Sequence, residues 1–388
     1  MFTVSIPVRN MPLILLSLVL VACGPVQVVQ QSPLDTASNH YQRGLLNFDR
    51  GDVMSAQREF ERARLLEGDF PGSYVGFALV AMQRGDFFRA RKEIELALHK
   101  ENEFVDAHIA KGRIATAEGI ARGEATNKWL PEALRAYRKA QDVNPGYPPS
   151  YFFAGQSYLQ AQNLPLARAS YTRLIELNHG PFVARAMHKV EQIQMIERAA
   201  PGTGVGIKIA LEEEISRGEL AVLLLEELKL AELVLKRRPI NDGANFQTPG
   251  DQANLSNPSE AVDIGHYWAK PWIEEILALG VPGLELFPDH SFQPEQALTR
   301  ANYALVNQGI LVLLSGDRSL SIRYVGESSR FSDVRSDFYA YNAIALSTER
   351  GLMAADKRTG HFYPERTVSG AEALLMVREL QNSFRMEF

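Results

Sequence analysis

Phe292-Gln293-Pro294 followed by Leu298-Thr299-Arg300-Ala301-Asn302 is a stretch that this chain writes twice. Farther on stand Phe362-Tyr363-Pro364 and Val368-Ser369-Gly370-Ala371-Glu372, displaced by 362 − 292 = 70 positions. The same displacement carries Asp263 onto Asp333, Trp268 onto Phe338 and Ala301 onto Ala371. Matches at one fixed offset with no gap indicate a duplicated structural unit. A shorter echo lies upstream, at Ile215-Ser216-Arg217-Gly218-Glu219-Leu220-Ala221.

The residues of the echo are helix-starting residues. Ser216 with Glu219, and Ser369 with Glu372, have capping-box spacing, and Thr299 supplies the same N-cap with Asn302 in the acid's place. Pro294 and Pro364 end whatever precedes them. Asp263 and Asp333 are expected to cap the helices that follow them. Arg217 and Arg300 fall at the first helical position, where a cation opposes the helix dipole at a cost of roughly 0.3–1 kcal/mol. A bound anion removes that cost, because free amides at a helix start already favour negative charge. Each arginine is therefore expected at the mouth of an anion-accepting groove. On that reading Arg300→Ala weakens ligand binding without loss of stability, and Gly370→Arg gains affinity in a unit that lacks the arginine. Trp268 and Trp272 are candidate platforms for stacking on sugar faces, with burial in the core as the competing reading.

Together these residues resemble S-layer homology repeats: an aromatic-x-Asp start, an aromatic-Ala helix, Phe-x-Pro, then a Thr-Arg-Ala-Glu helix start. The resemblance covers 259–381 as two complete repeats and about 205–236 as a partial one. It implies repeats working in threes on anionic, often pyruvylated, cell-wall polysaccharide.

Upstream, a second period runs over 37–200. Ala56, Phe60 and Ala63 recur as Ala90, Ile94 and Ala97, an offset of 90 − 56 = 34, and the Gly51-Asp52 turn recurs as Gly85-Asp86. A third unit carries Gly112, Ala133, Tyr137 and Ala140 with an insertion at 117–130 that lengthens its two helices, and Trp129 there reads as a packing anchor. A fourth carries Ala154, Gly155, Ala167 and Tyr171, and a last helix over 182–198 caps the stack. Small residues let paired helices approach closely, and aromatics fill the space to the next pair. The pattern resembles tetratricopeptide (TPR) repeats, which implies a protein-binding concave face. Its lining is expected to be Tyr41, Leu45, Phe48, Val75, Leu79, Met82, Ile109, Arg113, Phe152 and Gln156, with Arg113→Glu leaving stability intact. The fold class is therefore mainly α: a TPR solenoid followed by a small helical domain of S-layer homology (SLH) type.

The start of the chain has an apolar run, Met11 to Leu20, too short to span a bilayer and ending in Leu20-Val21-Ala22-Cys23-Gly24. This resembles a bacterial lipoprotein signal. The resemblance implies removal of 1–22, lipid on Cys23 and, with Gly after the cysteine, an outer-membrane destination. Residues 23–36 then form a polar spacer. Farther along, 200–206 reads as a hinge, Ile215 to Leu235 as one amphipathic helix opening a partial repeat over 201–238, 239–258 as a linker, and 259–388 as the repeat pair.

Net charge of −5 argues against nucleic acid as a partner, since such binders carry a basic face. The single cysteine excludes an intramolecular disulfide and a cysteine zinc site. No nucleophile elbow, phosphate loop or dinucleotide fingerprint is present, so no catalytic residue, metal or cofactor is assigned. The sequence reads as a lipid-anchored cell-envelope adaptor, with a protein partner on the array, wall glycan on the repeats and the membrane reached through lipid. Its rivals are a pure protein scaffold for pilus or secretion assembly with non-binding repeats, and an accessory to glycan hydrolysis or synthesis.

Overall fold

The computed structural model describes residue 30, residues 32–237 and residues 261–386. Cys23, the signal peptide and the 239–258 linker lie outside them. The described residues form two compact units, the first ending at 110 and the second beginning at 111.

In the first unit, α1 (Ala37–Asp49) pairs with α2 (Val53–Leu66) and α3 (Pro71–Gln83) with α4 (Phe87–Lys100). Thr36, Asp52 and Asp86 cap three of these helices by accepting from the amides of Asn39, Ser55 and Arg89. Close approach depends on missing side chains. A Cβ at Gly76 would stand 2.2 Å from the Phe60 ring, which is how α3 seats against α2. Ala56, Ala63, Ala90 and Ala97 are fully buried at the contacts between helices.

The next helices in chain order are α5 (Val105–Ala121), α6 (Thr126–Val143), α7 (Pro148–Gln160), α8 (Leu164–Leu177) and α9 (Val183–Ala199). The insertion goes into longer helices at α5 and α6, and Trp129 is buried against Gly119. Consecutive helices from α6 to α9 pack on one another.

The second unit continues through α10 (Gly204–Ala210), α11 (Arg217–Glu226), α12 (Leu230–Arg237), α13 (Lys270–Leu279), α14 (Arg300–Ser315), α15 (Tyr341–Glu349) and α16 (Gly370–Met386). A short 3-10 turn, Arg318–Ser321, lies between α14 and α15. Two sequence expectations fail here. The helix expected from 215 to 235 is two helices, interrupted at Lys229, whose φ is +58°. The hinge at 200–206 is pinned rather than loose. Glu227 accepts from the amides of Gly202 and Thr203 at 2.8 and 3.0 Å, and the Arg378 guanidinium donates to the carbonyls of Ala199 and Ala200 at 2.8 and 2.6 Å.

Candidate functional site

Three buried residues, Ile215, Leu298 and Val368, each stand just before a helix-capping hydroxyl residue. Their backbones form a closed cycle. Leu298 N–H donates to Ile215 at 2.9 Å, Val368 N–H to Leu298 at 3.0 Å, and Ile215 N–H to Val368 at 2.9 Å. The upstream echo is therefore a full third corner of a ring, not a remnant.

Each corner grips the next through its helix start. At the first, Arg217 and Gly218 donate backbone N–H to Gln296 and Pro294. At the second, Arg300 and Ala301 donate to Arg366 and Pro364, and at the third Gly370 donates to Glu212. Ser216 and Glu219 form a full capping box, with Ser216 accepting from Glu219 N–H and Glu219 from Ser216 N–H. Ser369 and Glu372 exchange the same bonds at 3.2–3.3 Å, and Thr299 accepts from Asn302 N–H at 3.2 Å.

The Phe-x-Pro loops show what the repeated arginine and aspartate do. Phe292 and Phe362 are fully buried, and the residue after each, Gln293 or Tyr363, takes a left-handed backbone with φ of +55° or +56°. Such a conformation costs a non-glycine residue about 1–2 kcal/mol. The Asp263 carboxylate holds it by accepting from the amides of Phe292 and Gln293 at 2.8 and 2.7 Å. Asp333 does the same for Phe362 and Tyr363 at 2.8 and 2.6 Å. The two aspartates thus hold loops 29 residues downstream. The expectation that they cap the following helices is corrected: Ala269 and Ala340 occupy those caps without a side-chain bond.

The arginines close the same loops from the other side. Arg217 donates Nε to the Phe292 carbonyl at 2.9 Å, and its two terminal nitrogens to Gly283 and Glu285 carbonyls at 3.0 Å each. Arg300 donates to the carbonyls of Phe362 at 2.8 Å and Ala354 at 2.7 Å. Both are only 6% exposed and lie against aromatic rings, Arg217 over Phe287 and Phe292 and Arg300 over Phe362. Burial pushes the pKa of each guanidinium down, with Arg366 adding to the effect at Arg300. The expected groove-mouth position is corrected: the charge is offset by loop carbonyls, so no anion is needed to do it. Gly370 is likewise not a vacant arginine position. A Cβ there would lie 1.8 Å from the Ile209 carbonyl oxygen, so Gly370→Arg cannot be accommodated.

Trp268 and Trp272 remain at a surface. Their rings lie 5.8 Å apart at the corner where α13 packs on α11, with Tyr267 6.0 Å from Trp268. Trp268 is 49% exposed, and Trp272 is half-buried with its indole N–H donating to Glu226 at 2.8 Å.

In the array, six of the ten expected groove residues are core. Tyr41, Phe48, Val75, Leu79, Ile109 and Phe152 are buried, and Tyr41 donates its hydroxyl to Asp106 at 2.9 Å. Leu45, Met82, Arg113 and Gln156 are half-exposed. The Arg113 guanidinium lies 4.1 Å from the Phe153 ring centre, a contact that Arg113→Glu would lose. Beyond these, α2, α3 and α4 enclose an open cavity of about 740 Å³, rimmed by Arg64, Arg84 and Arg89 and floored by Phe77 and Val80. Of its lining residues Asp86 alone belongs to the repeated positions quoted above.

The fold and the ring define a class: a helical-repeat protein carrying a three-cornered ring. Residues 330–374 match the S-layer homology domain family, covering one corner of the three. No curated protein matches the chain. Solved structures to which the chain shows similarity include a thermophilic TPR protein of Thermus thermophilus, at 18% identity over 52% of this chain and 96% of that one, TM-score 0.35. Pseudomonas aeruginosa pilF matches at 15% identity over 54% of this chain and 93% of its own, TM-score 0.30. A tetratricopeptide repeat protein from Parabacteroides merdae matches at 14% identity over 88% and 98%, TM-score 0.27.

Proposed function

We propose that the chain is a lipid-anchored adaptor of the bacterial cell envelope, gripping wall glycan with its ring and a protein partner with its array. One observation carries the reading: a three-cornered ring, one corner of which matches the S-layer homology family, is built directly onto the last helices of a helical-repeat array. SLH domains point to wall binding and TPR-type arrays to protein binding. The proposed protein-contact residues are the half-exposed Leu45 and Met82 in the first unit and, separately, Arg113 and Gln156 in the second; those of the ring are Trp268 and Trp272. The lipid would sit on Cys23, and the outer membrane is the proposed destination. Among the described residues no helix is long and apolar enough to cross a membrane.

Sedimentation of the purified chain with cell-wall material tests the ring, and detergent partitioning tests the anchor. The full chain is expected to pellet with wall material and to partition into detergent, and Cys23→Ser to leave an unprocessed precursor. A chain that stays in the supernatant favours the second reading, a protein scaffold in which the ring is purely structural. The burial of Arg217 and Arg300 is the observation on that side.

A further inference from the structure

The three corners of the ring are alike in backbone and unlike in what covers them. At the first, α13 packs on α11, and α12 packs on α11 and α14. The Trp268 and Trp272 faces are left at the surface. Position 342 is the counterpart of Trp272 at the second corner (272 + 70), and it holds Asn342. That side chain is buried and bonded on both ends. It donates to Gln308 at 2.6 Å and to the Leu320 carbonyl at 2.9 Å, and accepts from Tyr324 N–H at 2.8 Å. Leu320 and Tyr324 are themselves buried, and the 3-10 turn carrying Leu320 packs on both α14 and α15. The chain's own 316–330 segment therefore fills the second corner where the first has a tryptophan face. Phe338, at the Trp268 position, stays half-exposed there beside the exposed Tyr339, whose ring lies 4.5 Å away, so this corner keeps a phenyl and a phenol but no indole. At the third corner the space beside α16 is taken by α9 and α10, with Gly370 pressed on Ile209 and Arg378 fixed to the end of α9.

The chemistry of the first corner is also specific. Its rim cations are already engaged, Lys229 with Glu226 and Lys270 with Glu274, each at 3.6 Å, and Arg217 is spent on loop carbonyls. The exposed Trp268 ring, with the Trp272 ring tilted by 59° beside it and a carboxylate at the edge, suits a pyranose. The apolar C–H face lies on Trp268, and ring hydroxyls donate to the free lone pairs of Glu226. A ligand carboxylate would meet the Glu226 carboxylate at that edge, and Lys229 and Lys270 are paired with Glu226 and Glu274.

We infer that the ring presents wall glycan with a single corner, the one carrying Trp268 and Trp272, the Trp272 position of the second being filled by the chain's own segment and the third being closed by α9 and α10, and that this corner takes an uncharged pyranose. The inference rests on the glycan-binding reading above and adds where, how many and which kind of sugar.

The test is sedimentation of the full chain with purified wall material, comparing wild type with Trp268→Ala, Trp268→Tyr and Phe338→Ala, each checked for an unchanged melting temperature. Trp268→Ala is expected to weaken binding about tenfold or more, as loss of a central aromatic contact does. Trp268→Tyr should recover most of it, and Phe338→Ala should bind like wild type. Between about 50 and 500 mM salt, wild-type affinity should change less than about twofold, since no ion pair is screened. Wild-type binding by Trp268→Ala, or an equal loss in Phe338→Ala, overturns the single corner. A steep loss with salt overturns the uncharged ligand. If wild type itself does not pellet, the adaptor reading fails and this inference falls with it.

Discussion

Two guanidiniums at helix starts would normally work against the dipole, and here they are offset by carbonyls of the neighbouring corner. Arg217 supplies three hydrogen bonds to three different loop residues, so one side chain fixes the shape of 283–292 against α11. Its removal strands carbonyls in a buried space, where each unsatisfied group costs about 1–3 kcal/mol. Arg217→Ala and Arg300→Ala are thus expected to lower stability by at least about 2 kcal/mol, read as a shift of the urea midpoint. An unchanged midpoint would show that the loops hold without the clamp. Arg217→Lys should also be destabilised, because a single ammonium cannot reproduce a planar fork. Gly370 tests the opposite limit. Gly370→Ala already places a Cβ against the backbone of Ile209 and Ala210, so it should lower stability by about 1–3 kcal/mol as overpacking does. A melting temperature equal to wild type would mean α10 yields. The sequence showed these arginines as an electrostatic anomaly. What it could not show was the compensating partner, since a backbone carbonyl 75 residues away leaves no signature in composition or spacing.

Elements in this chain are held by short motifs that reach across the ring. Asp263 and Asp333 were legible as paired aspartates, and their offset was right, but proximity in sequence suggested a helix cap. The real acceptor job is to hold the left-handed Gln293 and Tyr363. Asp333→Asn keeps the size and loses the charge. It is expected to speed amide exchange at Phe362 and Tyr363 about tenfold or more, with little change in α14, in a hydrogen-exchange experiment. Exchange as slow as wild type at both amides would contradict the assigned role. In the array, the small residues at offset 34 read correctly as helix contacts, because close packing leaves few choices of side chain. Ala90 is fully buried, and Ala90→Leu should cost about 1–3 kcal/mol in thermal or denaturant unfolding. A cost near zero would place Ala90 away from the α3/α4 contact. The concave-face list fared less well. A helical period identifies which residues share a face, yet it does not separate a face turned to the next helix from one turned to solvent.

Across the second unit, array and ring share an element. α9 ends the array and at the same time packs on α16 of the ring, where α13 and α15 serve the other two corners. Gln381 adds a bond to the Glu227 carbonyl, beside the Glu227 carboxylate that holds 202–203. A breaker-rich stretch such as Ala200-Pro-Gly-Thr-Gly-Val-Gly206 reads as a hinge because glycine and proline disfavour regular structure. Side chains from 227 and 378 remove that freedom, and nothing near 200 announces them. Arg378→Ala is accordingly expected to loosen both partners together, raising amide exchange at the end of α9 and along α16. Faster exchange in only one of the two would mean that they are not coupled through this clamp.

The central claim is that wall glycan is held by the ring, at its first corner, while the array stays free. Hydrogen exchange of the full chain with and without purified wall material tests this directly. Slowing is expected in 217–226 and 264–276, with none in 37–110. Slowing confined to the array, or no slowing anywhere in the ring while the chain pellets with the wall, would contradict the account.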